Sequence, residues 1–205
     1  MHPTKKYRNG KSEWSNQTTS SLSMGYNIST STVQLLKAFS ILVNNGRYIR
    51  PSLISQSDQS EQLFSVESCL RIKEALSYVC TQYGTGAVAF NNQFTISAKS
   101  GTTHLIENGQ YTDKKHLSSF VGFFPSNDPK YICAIHIQEP LAVKTSTGKH
   151  LQHGGVSAGS AFKLFSQDLM NVTQWSKEEI KNQSKACQKM SKKTKELDQL
   201  MISFK

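Results

Sequence analysis

The runs Ser118–Phe124 and Tyr131–Ile137 leave a chain like this one little freedom in how it folds. Neither contains Asp, Glu, Lys or Arg, both are rich in β-prone side chains, and only Pro125-Ser126-Asn127-Asp128-Pro129 and Lys130 lie between them. So short a link joins antiparallel neighbours, because a parallel pair needs a crossover of a dozen residues or more. Upstream, Gln93-Phe94-Thr95-Ile96-Ser97 alternates polar and apolar side chains and reads as a further half-buried strand. The polar stretch Glu107–Lys115 reads as a hairpin loop. Strands in sequence with short links predict an antiparallel meander.

Helical periodicity frames these strands. Ser31 with Gln34 three residues on forms a capping box ahead of Val33, Leu36, Ala38, Phe39, Ile41, Leu42 and Val43. Asn44-Asn45-Gly46 closes that helix with residues suited to a left-handed end. Its apolar residues surround it on most sides, so burial is expected. Tyr48–Ile54 reads as a short extended piece and Ser55–Ser60 as a polar loop. A second helix is expected over Ser65–Tyr83, with Val66, Leu70, Leu76 and Val79 among its apolar positions, ending at Gly84-Thr85-Gly86. After a polar, glycine-containing loop over Leu141–Gly155, a helix from Ser157 to Val172 gathers Ala158, Ala161, Phe162, Phe165, Leu169 and Val172 within about a third of its circumference. Helices packed on an antiparallel sheet make an α+β fold.

Residues 1–20 have no apolar period and read as a loop leading in; residues 21–175 form the domain, and 176–205 a basic tail. That tail carries eight lysines against four acids. Ile180, Cys187, Met190, Thr194, Leu197 and Met201 fall near heptad spacing, yet a solvated helical extension is expected rather than a pairing helix. Across the whole chain of 205 residues the formal net charge is +10. Aromatic residues are not interleaved with the lysines, so no nucleic-acid partner is expected. No apolar run approaches the roughly 20 residues that span a bilayer, and residues 1–20 do not resemble an export signal. Cys69, Cys80, Cys133 and Cys187 contain no ligand spacing for zinc. Cys69 and Cys80, about 16 Å apart on a helix, cannot bridge each other. Neither metal nor cofactor is expected.

Chemistry concentrates in Ala98-Lys99-Ser100-Gly101-Thr102-Thr103. Lys99 attracts a carboxylate, Ser100 and Thr102 can hydrogen-bond it, and Gly101 lets another backbone approach. At a strand edge, such a set suits an extended peptide added to the sheet. His104 follows the set and His136 alternates with Ile135 and Ile137; both are expected to be satisfied or solvent-facing rather than catalytic.

Four blocks in order resemble the penicillin-binding proteins, in particular the class B transpeptidases of bacterial cell-wall synthesis. Ser23-Met24-Gly25-Tyr26-Asn27-Ile28-Ser29 through Gln34-Leu35-Leu36, with Asn45-Gly46-Arg47-Tyr48-Ile49-Arg50-Pro51, is similar to that family's glycine-aromatic turn, helix and closing proline. Tyr83-Gly84-Thr85-Gly86-Ala87-Val88-Ala89 resembles the turn ahead of its active-site strand. Lys99-Ser100-Gly101-Thr102 stands in the place of its Lys-Thr/Ser-Gly-Thr motif. Ser119-Phe120-Val121-Gly122-Phe123-Phe124-Pro125, with Pro129-Lys130-Tyr131 and Glu139-Pro140, resembles the two strands that follow. Ser31-Thr32 replaces the usual Thr-Pro before the helix glutamine.

The resemblance implies an incomplete penicillin-binding/serine β-lactamase-like fold, whose remaining strands would lie against those found here. It implies acyl transfer on D-Ala-D-Ala stem peptides. Lys99 would supply positive charge, Ser100 and Thr102 would hold the carboxylate of stem peptide or β-lactam, and Gly101 and Thr103 would complete the substrate-binding set. The backbone after Gly101 would offer an oxyanion donor. Gly84–Gly86 would shape the groove wall only. The family nucleophile, in a Ser-x-x-Lys, precedes this motif, and a Ser-x-Asn accompanies it. This sequence contains no Ser-x-Asn, and its two Ser-x-x-Lys matches, Ser146–Lys149 and Ser160–Lys163, both follow the motif. The expectation is therefore a carboxy-terminal portion of the domain, inactive alone, with the amino-terminal half as a partner. Full-length relatives are expected to be anchored in the inner membrane with this domain outside it. Two other readings remain open: a non-catalytic module that recognises wall stems or β-lactams, and a basic protein that binds nucleic acid or an anionic surface. A class D β-lactamase would need its own upstream Ser-x-x-Lys.

Overall fold

The computed structural model describes residues 7–8, 11–12, 17–26, 28–54, 60–107, 110–141, 144, 146, 148, 150, 152–173, 175 and 177–203. In chain order the elements are β1 (Tyr7–Arg8), β2 (Lys11–Ser12), α1 (Thr18–Ser23), α2 (Thr32–Val43), β3 (Arg47–Ile49), β4 (Ser60–Gln62), α3 (Val66–Val79), a 3-10 turn (Ala87–Ala89), β5 (Ser97–Glu107), β6 (Gln110–Phe124), β7 (Tyr131–Gln138), α4 (Ser157–Val172) and α5 (Lys177–Ser203). Two compact units divide the chain, Met1–Leu35 and Leu36–Lys205.

The first unit holds the small β1-β2 hairpin and α1, where the sequence suggests an irregular lead-in over residues 1–20. It also holds the start of α2. The capping box forms there: Ser31 Oγ accepts from the Gln34 N–H at 3.3 Å, and Gln34 Oε1 accepts from the Ser31 N–H at 2.9 Å.

In the second unit, α2 ends as its sequence predicts. Asn45 and Gly46 take positive φ, and the Gly46 N–H reaches back to the Ile41 carbonyl at 2.8 Å. Full burial of α2 is not found: none of its residues is buried, Leu35, Leu36, Phe39 and Ile41–Val43 are half-buried, and Val33 faces solvent. Ser60 belongs to β4, paired with β3 rather than to a loop, and residues 55–59 of that expected loop lie outside the described residues. α3 starts at the expected end of its span, capped by the Ser65 hydroxyl, which accepts from the Ser68 N–H at 3.2 Å. It stops at Val79 rather than Tyr83, since Cys80–Gly86 turn sharply to bring the Gly86 N–H onto the Val79 carbonyl. Its buried residues are Cys69 and Ser77, while Val66 and Leu70 face solvent.

β5, β6 and β7 form the expected antiparallel meander. The strands are longer than the hydrophobic pattern indicates, since β5 runs to Glu107 and β6 starts at Gln110. Gln93–Ile96 is not strand: Phe94, Thr95 and Ile96 are all buried in irregular chain ahead of β5. One sheet face packs on α4. Phe120 lies 5.1 Å from Phe162, and Phe124 meets the same ring edge-on at 5.7 Å, centroid to centroid. Ile96, Ala98, Ala158 and Cys80 complete that core. The inward stripe of α4 is Ala158, Gly159, Phe162 and Ser166, rotated from the expected one, and Phe165 is 46% and Val172 76% exposed. On the opposite face α3 packs against β5, the Ser97 hydroxyl bonding the Lys73 carbonyl at 3.3 Å.

The tail forms the long helix α5, and its expected solvation is not observed. Gln183, Cys187 and Thr194 are buried. Cys187, Met190 and Thr194 close on Cys80, Phe90, Asn91 and Ile96 around a cavity of about 20 Å³. A Lys193–Glu74 ion pair and a Lys130–Glu179 pair clip the helix to α3 and to the sheet. Lys130 also lies over the Trp175 ring, 4.6 Å from its centroid. Packing wins because Gln183, Cys187, Met190 and Thr194 share one side of the helix.

Candidate active-site strand

The residues singled out in the sequence occupy the first half of β5 rather than a strand end, and β5 is an outer strand paired only with β6 among the described residues. Lys99 is opposite Val121, Ser100 opposite Phe120, Gly101 opposite Ser119, Thr102 opposite Ser118 and Thr103 opposite Leu117. Alternation therefore puts Ser100 and Thr102 on the face that carries α4, and Lys99, Gly101 and Thr103 on the other.

Both hydroxyls on the α4 face are held. Ser100 Oγ donates to Thr85 Oγ1 at 3.1 Å, and Thr102 Oγ1 accepts from the Gly154 N–H at 2.9 Å. A third bond sits beside them, from Ser118 Oγ to the Gln152 carbonyl. The exposed Lys99 ammonium comes round the strand to the Ser100 carbonyl at 2.6 Å. β5 thus carries one cation and two hydroxyls within four successive residues, each hydroxyl retaining capacity to donate or accept. The described cavities are lined by other residues, so the site is an edge, not a pocket.

Two features behind the strand escaped the sequence reading. The first is His153-Gly154-Gly155-Val156, whose sequence reads as plain loop running into α4. A Cβ on Gly154 would stand 2.0 Å from the Gly101 carbonyl oxygen and 2.6 Å from that of Ser119. One on Gly155 would stand 2.0 Å from the Thr85 carbonyl oxygen. This loop wedges between β5 and the Gly84–Gly86 turn as backbone only, and paired glycines just ahead of a helix were the available signal. The second is Thr85, which does more than line a wall because it positions the Ser100 hydroxyl.

The remaining candidates fall elsewhere. His136 Nδ1 is 2.8 Å from Ser119 Oγ on the face away from α4. His104 lies against His116 across the strands, the rings tilted by 50° with centroids 4.6 Å apart. Ser160 spends its hydroxyl on the Val156 carbonyl inside α4. Ser146 is exposed, and Lys149 lies outside the described residues. Burial pushes the Cys80 thiol up to about 12 and those of Cys133 and Cys187 up to about 11, which keeps them protonated and poor nucleophiles at neutral pH. Among the described residues no cluster of three or more His, Cys, Asp or Glu could hold a metal ion, and no helix is long and apolar enough to cross a membrane.

Comparison with known proteins covers this same region. The model of the penicillin-binding protein transpeptidase domain matches residues 4–167. A probable peptidoglycan D,D-transpeptidase, PenA, of Neisseria flavescens is 30% identical over 161 residues, which make up 78% of this chain and 38% of the relative. The transpeptidase domain of penicillin-binding protein 3 from Burkholderia pseudomallei superposes with a TM-score of 0.67 at 24% identity, covering 79% of this chain and 48% of its own. Penicillin-binding protein 3 of Mycobacterium tuberculosis, complexed with aztreonam, does so with a TM-score of 0.67 at 23% identity, covering 78% of this chain and 39% of its own. The chain therefore spans about two fifths of the first relative's length.

Proposed function

The chain belongs to the penicillin-binding protein transpeptidase family, in its class B branch, and on that premise we propose that its β5 edge holds the terminal carboxylate of a peptidoglycan stem peptide, or of a β-lactam, for D,D-transpeptidation. One observation carries the reading: Lys99, Ser100 and Thr102 stand on an outer strand paired only with β6 among the described residues, with the Ser100 and Thr102 hydroxyls held by Thr85 and Gly154. An extended stem peptide adds to that edge through backbone hydrogen bonds. Its carboxylate takes the two hydroxyls and the ammonium, a charge-assisted set stronger than neutral bonds. The Thr102 N–H, just after Gly101, serves as an oxyanion donor to the attacked carbonyl.

Acylation itself is assigned to a serine outside this chain, since no Ser-x-x-Lys precedes Lys99. The upstream half of the domain supplies that serine and the remaining strands. It packs where apolar surface is open, along Leu63, Phe64, Val66, Leu70 and Ile72 and at the uncharged outer edge of β7. In the assembled protein this domain faces the wall, outside the inner membrane.

Labelling with a fluorescent penicillin tests the division of labour. The 205-residue chain alone takes up no covalent label. Co-folding with the amino-terminal part of a class B transpeptidase domain restores labelling, and Lys99→Ala then abolishes it. Covalent labelling of the chain alone overturns the reading.

A further inference from the structure

α5 lies beyond the stretch that the family model matches, so the transpeptidase fold does not account for it. Its two sides differ sharply. Gln183, Cys187, Met190 and Thr194 face inward and dock the helix on the Cys80–Ile96 segment. At 100° per residue, Lys181, Lys185, Lys189, Lys192 and Lys195 fall within about 120° of arc centred directly opposite, over about 21 Å of helix. All are exposed, and no ion pair joins any of them to an acid among the described residues.

Acids do not interrupt the stripe, since none occurs in α5 between Glu179 and Glu196. Like charges three and four apart destabilise a helix, so this arrangement costs stability that an anionic partner would offset. The flanking Lys193, by contrast, is paired with Glu74. α5 has no aromatic side chain and no arginine, so it offers neither a base-stacking platform nor a bidentate phosphate clamp. What it offers is a rigid row of point charges whose apolar side is already spent on the domain.

We propose that the outward lysine stripe of α5 seats this domain on an anionic lipid surface. The contact is electrostatic and superficial: ammonium groups reach lipid phosphates without insertion of the helix. The attraction between ammonium groups and such a surface is screened by ions, so binding falls off steeply with added salt.

Sedimentation with lipid vesicles tests this. The full chain partitions onto vesicles of one part phosphatidylglycerol to two parts phosphatidylcholine, and not onto phosphatidylcholine alone. The variant Lys185→Gln/Lys189→Gln/Lys192→Gln loses about a hundredfold in partitioning while its far-ultraviolet dichroism is unchanged. Arg50→Gln/Lys144→Gln/Lys163→Gln removes the same net charge elsewhere and stays within about threefold of the parent. Equal loss in both variants, or no binding to the anionic vesicles, overturns the proposal. So does tighter binding to duplex DNA at the same ionic strength that disappears with the α5 variant.

Discussion

The backbone N–H of Gly154 donates to Thr102 Oγ1 at 2.9 Å, tying the loop ahead of α4 to a strand 52 residues earlier. The bond exists because nothing larger than glycine fits at 154, and it holds one of the two hydroxyls at the strand edge. Packing behind the strand and chemistry in front of it therefore respond differently to substitution.

Gly154→Ala and Gly101→Ala separate the two. A methyl at 154 would meet two carbonyl oxygens at 2.0 and 2.6 Å, so backbone must shift; a loss of about 1–3 kcal/mol is expected. At 101 the nearest atom to a new Cβ is Ser119 Cβ at 3.7 Å, ordinary contact. That variant keeps its stability within about 0.5 kcal/mol, yet hinders a peptide approaching the edge. Urea unfolding of both variants checks the contrast.

Thr102→Val removes the acceptor and leaves the Gly154 N–H unpaired in a buried loop. The expected cost is about 1–3 kcal/mol. Lys99→Ala removes an exposed side chain whose hydrogen bond goes to the Ser100 carbonyl, and stability stays within about 0.5 kcal/mol. Thermal melts of the pair distinguish a residue that holds the site together from one that serves only its ligand.

Phe162→Ala and Phe165→Ala test which side of α4 faces the sheet. Phe162 is 0% exposed and touches Phe120 and Phe124, whereas Phe165 is 46% exposed. The first substitution costs about 3–5 kcal/mol and the second under about 1 kcal/mol. Chemical denaturation reads both.

Buried thiols make the fold sensitive to alkali. Burial raises the folded pKa of Cys80 from 9.0 to about 12, and of Cys133 and Cys187 to about 11. A group raised in the folded state contributes stability that is complete below its unfolded pKa and is lost as pH rises through the folded one. Stability therefore declines from about pH 9 towards pH 11, and Cys80→Ala/Cys187→Ala makes that decline shallower. Unfolding curves collected across this range check the sign.

Much of this architecture is legible locally. The capping box at Ser31 and Gln34, the left-handed stop at Asn45 and Gly46, and the N-cap at Ser65 are short-range hydrogen-bond patterns written in consecutive residues. Sheet order follows from link length alone. Long-range packing was less legible. Phe94 and Ile96 alternate like a strand, but Thr95 between them is buried too, so the period came from core filling rather than pleat. On α4 hydrophobicity alone does not mark Gly159 and Ser166 as buried: Gly159 lies where an added Cβ would press on the Phe120 ring, and the Ser166 hydroxyl is satisfied by the Lys163 carbonyl. In α5 the near-heptad Cys187, Met190 and Thr194 are legible in the sequence but their burial is not, because many lysines and few large apolar residues suggest solvation; with Gln183 they dock the helix while the lysines face out. At the candidate site the cation and hydroxyls were visible in the sequence. Their supports were not, because Thr85, Gly154 and Gly155 act through backbone geometry that only the fold brings together.

The most direct test is a titration of the isotopically labelled chain with a stem peptide ending in D-Ala-D-Ala, followed by amide chemical shifts. Saturable shifts confined to residues 99–103 and their neighbours at Thr85 and Gly154, weakened at least about tenfold by Lys99→Ala, are the predicted result. A titration that leaves those amides unmoved, or one in which the parent and Lys99→Ala bind alike, contradicts it.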